Sequence, residues 1–186
     1  MNKYRRLILV LVFLLILFLI AELTGLRDHF TLQLLREKLS ANLLTGLLIF
    51  IALFAIGNLL HIPGLVFLAA AVFALGRVSG GIATYIAAIA SSASTFLLIS
   101  YLGGAALRQI NNTIAFRLLA HLDAHPIRNV ALLRIIFQTM PAVNYALALS
   151  GVSFRQYMLG TIIGLPLPLA LYCYFFDEVA KYLHIS

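Results

Sequence analysis

The chain has 186 residues, 63% of them hydrophobic and 10% charged, with a mean hydropathy of +1.05. A soluble domain carries about 25% charged residues to cover its surface, so this composition excludes a water-soluble globule and indicates one integral membrane domain. The formal net charge of +7 sits at segment ends and short connections, which reads as headgroup contact and topology signal and not as nucleic-acid binding.

Met1–Arg6 is basic and Leu7–Ala21 is uninterrupted apolar sequence. The residues that follow, Glu22-Leu23-Thr24-Gly25, lack the small-residue pattern of a signal-peptide cleavage site, so Leu7–Leu23 is expected to be a retained transmembrane helix. His29–Ala41 places Gln33, Arg36, Glu37 and Lys38 opposite Phe30, Leu32, Leu35 and Leu39, the pattern of an amphipathic helix lying in the membrane interface. Leu43–Leu60 is long enough to span. Ile62–Gly76 opens with Pro63-Gly64 and reaches only ~22 Å as a straight helix, short of the ~30 Å of hydrocarbon. It is therefore expected to enter and leave on one side as a re-entrant hairpin, with Leu60 and Val78 on the same face.

Gly80–Leu102 spans. Its Ala83, Ala87, Ala90 and Ser94 form a heptad-spaced small-residue stripe suited to helix packing, and Thr84, Ser91 and Thr95 form an adjacent hydroxyl stripe. Asn111–Leu122 reads as a second interfacial helix. His121 and His125 stand there with no third ligand of suitable geometry and read as solvated residues, so no metal and no cofactor are expected. Val130–Leu149 is long enough to span, but Pro141 divides it and Arg134, Gln138 and Asn144 interrupt it, which makes it the second expected hairpin. Gln156–Phe176 is the last expected span, ending in an interfacial belt of Tyr172, Tyr174, Phe175 and Phe176. The fold class is thus all-α: four spans, two re-entrant hairpins in an inverted repeat, and interfacial helices.

Arg134 carries the sharpest functional signal. A charge at the centre of a membrane helix costs ~2.5–3.5 kcal/mol, and no carboxylate is near it in sequence. Gln138 lies one turn on, and Asn144 and Tyr145 follow Pro141, where a new helix start would present unpaired N–H groups. The arrangement suits a phosphate; the alternative is an arginine that ties the break together through backbone carbonyls. The small and hydroxyl side chains Ser91, Ser94 and Thr95, with Pro63 and Gly64, complete the candidate headgroup path. His61 is the titratable group near neutral pH beside the first hairpin.

The stretches "LHIPGLVFLAAAVFALGRVSGG" and "LLRIIFQTMPAVNYALALSGVSFRQYMLGTIIGLP" resemble the two halves of the DedA superfamily, also called the VTT or SNARE-associated domain family. The resemblance covers about Leu43 to Leu171. It divides the chain into an N-terminal segment 1–42 and a membrane domain 43–186, with halves 43–103 and 128–176 and a linker 104–127. It implies two opposed re-entrant hairpins and a non-enzymatic multi-pass protein of the bacterial inner membrane. It also implies movement of an anionic lipid, such as undecaprenyl phosphate or a phospholipid, between leaflets. Lipids are the implied partners, with homo-oligomerisation left open. Some relatives use carboxylates near the first hairpin for proton coupling. Here the acids are Glu22, Asp28, Glu37, Asp123, Asp177 and Glu178, none in that region, and Ser94 stands about where many relatives carry aspartate. Met140 occupies a position where some relatives carry a second arginine. A proton-driven ion or drug transporter and a non-transporting envelope scaffold are the alternatives.

Basic residues give a conflicting orientation. Lys3, Arg5 and Arg6 argue for a cytoplasmic N-terminus. Four spans would then put Arg77 and Lys181 with them, but Arg27, Arg36, Lys38, Arg108, Arg117, Arg128 and Arg155 outside.

Overall fold

The computed structural model describes residues 5–23, 43–109 and 113–182, and every regular element among them is helical. In chain order these are α1 (Arg5–Leu23), α2 (Leu43–Leu59), α3 (Gly64–Gly103), a 3-10 turn (Ala106–Gln109), α4 (Thr113–Ala124), α5 (Pro126–Phe137), α6 (Pro141–Leu149), α7 (Phe154–Gly164) and α8 (Pro166–Tyr182). The expected interfacial helix His29–Ala41 lies outside the described residues; α4 occupies the expected position of the second one.

α3 is two helices joined at Gly76, whose φ of 77° and ψ of 172° are open to glycine alone. A Cβ on Gly80 would lie 2.5 Å from the carbonyl oxygen of Ala71, although residues nine apart in a straight helix are ~13 Å apart. The chain therefore doubles back, with a first arm Gly64–Leu75 against a second arm Arg77–Gly103. α2 folds onto the first arm about Leu60–Pro63: the rings of Phe50 and Phe54 stand 6.2 and 4.8 Å from that of Phe67. Gly57 makes room for that ring.

Leu43–Leu60 is one arm of a helical pair and Ile62–Gly76 is the other. Leu60 is buried at the fold-back and Val78 is 67% exposed just past the turn at Gly76, so the two flank opposite ends of the first arm of α3. An apolar helix of 17 residues has the same composition whether it crosses a bilayer or stops at a break. Among the described residues two stretches are long and apolar enough to cross a membrane, Gly64–Gln109 and Phe154–Tyr182; the first reverses at Gly76, and its second arm is the longer part.

α5 and α6 form the second pair about Gln138–Met140, and both outer ends return to the same end of the molecule. Arg108 holds them there. Its Nε donates to the carbonyl of Ser150 after α6 at 2.7 Å, and its guanidinium binds both oxygens of Asp123 in α4 at 2.6 and 2.8 Å. That pairing holds the Asp123 carboxyl below its ordinary range and pushes the arginine up. The Asn129 amide donates to the carbonyl of His121 at 2.7 Å, joining α5 to α4. α7 starts from a capping box in which Ser153 and Gln156 satisfy each other's backbone N–H groups. Gly160 and Gly164 bring α7 so close to α5 that a Cβ would meet the carbonyls of Ile127 and Ala131 at 2.7 and 2.5 Å.

The ends are unequal in charge. Arg6, whose guanidinium lies beside Gly104, shares one end with Arg108, Arg128 and Arg155. Asp123 is the acid there among the described residues. The other end carries Arg77 and Lys181 against Asp177 and Glu178, with Lys181 3.0 Å from both acids.

The cleft between the two helix breaks

The two breaks meet. A Cβ on Gly64 would lie 2.5 Å from Thr139 Oγ1, so the start of α3 rests on the turn before α6. Pro63, Gly64 and His61 form one wall of a cleft of about 460 Å³, and Gln138, Pro141 and Tyr172 contribute to the facing side. His61 (φ 63°) and Gln138 (φ 50°) are the two non-glycine residues with positive φ among those described, one in each break. Such backbone costs ~1–3 kcal/mol per residue and persists where surrounding structure fixes it. α3 and α6 both begin at the cleft without a side-chain cap, so two positive helix ends face it.

Arg134 stands behind this cleft and not in it. It is fully buried, and its Nε, Nη1 and Nη2 donate to Thr161 Oγ1, the Gln138 carbonyl and the Tyr157 hydroxyl at 3.1, 2.8 and 2.7 Å. No carboxylate lies among these partners. The bond to Gln138 closes the left-handed turn of the second break directly, which is the carbonyl-tying role. The guanidinium that was expected to meet a phosphate is thus bonded to protein groups at all three nitrogens and does not line the cleft. The Tyr157 hydroxyl also lies 3.1 Å from Asn144 Oδ1 and 3.3 Å from the Ser92 carbonyl, linking α5, α6 and the second arm of α3.

The remaining candidates divide into two groups. His61, Pro63, Gly64, Gln138 and Pro141 line the cleft. Tyr145 supports it from within, donating to the carbonyls of Asn58 and Leu59 at 3.2 and 3.3 Å with its ring 5.3 Å from His61. Ser91 accepts from the Asn58 amide at 3.0 Å and is buried. Thr95 is buried beside it. Ser94 is exposed, returns its hydroxyl to the carbonyls of Ala90 and Ser91, and does not line the cleft. Along the second arm the hydroxyls of Thr84, Ser92 and Thr95 are buried without a protein partner among the described residues, as is the Asn144 amide nitrogen. A polar seam of this kind is a place where water bridges otherwise unmatched groups.

Asn58, Thr139, Tyr157 and Thr161 were missed from sequence. Asn58 had a readable signal, a lone amide in an otherwise apolar helix three residues before a break. Tyr157 and Thr161 stand four apart on α7, the spacing of one helix face, and that pattern is common in packing faces too.

No curated protein and no solved structure matches the chain. A family model described as the VTT domain matches residues 62–178. That range opens at the first break, contains the second, and closes within α8 beside Asp177, so the chain belongs to the VTT domain family, the DedA or SNARE-associated membrane proteins.

Proposed function

We propose that this membrane protein moves the anionic headgroup of a lipid past the bilayer midplane through the cleft between the two helix breaks, without making or breaking a bond. The observation that carries the reading is the meeting of two strained breaks and two uncapped helix starts at one open cleft. The positive helix ends suit a phosphate, and the lipid tail stays in hydrocarbon beside the exposed faces of Met140, Leu167 and Leu171. Arg134 acts in this reading by holding the second break shut and shaped.

The two helical pairs are read as re-entrant hairpins that enter from opposite faces and meet mid-membrane, leaving three crossings: α1, the second arm of α3, and α7 with α8. Orientation follows from the end charges. By sequence position this topology assigns Lys3, Arg5, Arg6, Arg108, Arg117, Arg128 and Arg155 to the cytoplasmic side, against Arg27, Arg36, Lys38, Arg77 and Lys181, seven against five and in the direction of the positive-inside rule. The conflict arose from counting α2 as a span, which inverted everything after it. In a Cys173→Ser chain, a cysteine at Arg155 should react with an impermeant thiol reagent only after the membrane is opened, and one at Val78 in intact cells. Labelling of both from one face would sink the three-crossing topology.

The described acids lie toward the molecular ends and none touches the cleft or Arg134. Transport should therefore be downhill. In proteoliposomes with a fluorescent anionic phospholipid, headgroups should become accessible to an external quencher, and an uncoupler should leave the rate unchanged. A rate that collapses with the proton gradient would favour the proton-driven alternative. No movement at all, from a folded protein, would favour the scaffold.

A further inference from the structure

The arms of the second hairpin are splayed, and the space between them is a long apolar groove. α5 presents Leu132, Leu133 and Phe137 to it, α6 presents Val143 and Ala146, and Leu122 of α4 closes one side; its volume is about 780 Å³. That lies within the ~300–1,000 Å³ of small-ligand sites. The groove is graded along its length. Its outer end carries His121, Asn129 and Ser150, beside the Arg108 guanidinium that binds the Ser150 carbonyl. Its inner end, at Phe137, Met140 and Ala142, also lines the cleft between the breaks. From Asn129 to Phe137 the helix advances ~12 Å, close to the ~15 Å hydrocarbon depth of a single leaflet.

We infer that this groove is a binding site for one acyl chain of an anionic lipid, held with its headgroup at the Arg108–His121 end and its terminus at the cleft. The occupant follows from the gradient and the charge. A partner helix would need an apolar face along its whole length, whereas this groove is polar and cationic at one end and wholly apolar below it. Arg128 adjoins the lining Asn129 in the chain and adds a positive charge beyond the Arg108–Asp123 pair at that end, so an anionic headgroup is favoured over a zwitterionic one. The inference deepens the proposed function by giving it a loading site, but it stands on binding and does not require transport.

The test uses the full chain in nanodiscs with a phosphatidylglycerol carrying a diazirine near the end of one acyl chain. Crosslinks should concentrate on the peptide spanning Leu132–Ser150. They should be displaced by unlabelled phosphatidylglycerol more readily than by phosphatidylcholine. Ala146→Trp fills the groove and should reduce those crosslinks about tenfold, the factor given by ~1.4 kcal/mol of lost tail contact. Leu97→Trp, on the exposed outer face of α3, should not. Ala146→Phe replaces the Trp variant if the latter is not monodisperse. Crosslinks spread evenly over Leu97, Leu132 and Leu159 would mean ordinary surrounding lipid and overturn the site. A parent protein that is dimeric and an Ala146→Trp variant that is monomeric would instead make the groove a contact between copies, which also overturns it. Groove crosslinks without headgroup movement would leave the site standing and remove the transport reading.

Discussion

Arg134→Lys is expected to be at least as unstable as Arg134→Gln, with the glutamine variant losing on the order of 3 kcal/mol. Each of the three bonds from the guanidinium to Thr161, Gln138 and Tyr157 is a charged-donor bond worth ~1.5–3 kcal/mol. Replacing it with glutamine also removes the ~2.5–3.5 kcal/mol cost of placing its charge at depth, which leaves the smaller net loss for that variant. Glutamine escapes that cost. Lysine keeps it and, as a point charge on a flexible stem, cannot serve three acceptors set out for a planar fork. Thermal unfolding in detergent reads the order. A phosphate ligand role makes the opposite demand: lysine would transport partially, and glutamine would fold normally and transport nothing. Parent-like melting of both variants with an inactive glutamine protein would therefore overturn the tying role assigned here to Arg134.

Gly80→Ala should cost about 3 kcal/mol, at the upper end of overpacking effects. The added methyl would lie 2.5, 2.6 and 2.7 Å from the carbonyl oxygen and carbon of Ala71 and the nitrogen of Val72. These are backbone atoms of the first arm of α3, and they can move only if the two arms separate. The neighbouring Gly81→Ala is the control. Its methyl meets only Cys173 Sγ, at 2.9 Å, a single side-chain atom that lines the same cavity as Gly81, and alanine gains ~0.5–1 kcal/mol over glycine in a helix. The pair should differ by several degrees in apparent melting temperature. Equal melting of Gly80→Ala and Gly81→Ala would show that the arms are not packed at Gly80, and the fold-back at Gly76 would lose its support.

The sequence by itself determined a good deal. Composition required a membrane protein, because 10% charged residues cannot clothe a soluble surface. Pro63-Gly64 and Pro141 located both breaks, since proline starts a helix well and continues one badly. Arg134 announced a buried polar centre, and the quoted stretches carried the family. Tertiary structure decided what these features were for. An apolar helix has one composition whether it spans or turns back, and only the folded chain brings Phe50 and Phe54 of α2 onto Phe67 in the first arm of α3. A buried arginine reads alike as ligand or as brace. Its partners Tyr157 and Thr161 lie 23 and 27 residues away, a separation that no local periodicity encodes, and only the folded chain sets them within reach of one guanidinium.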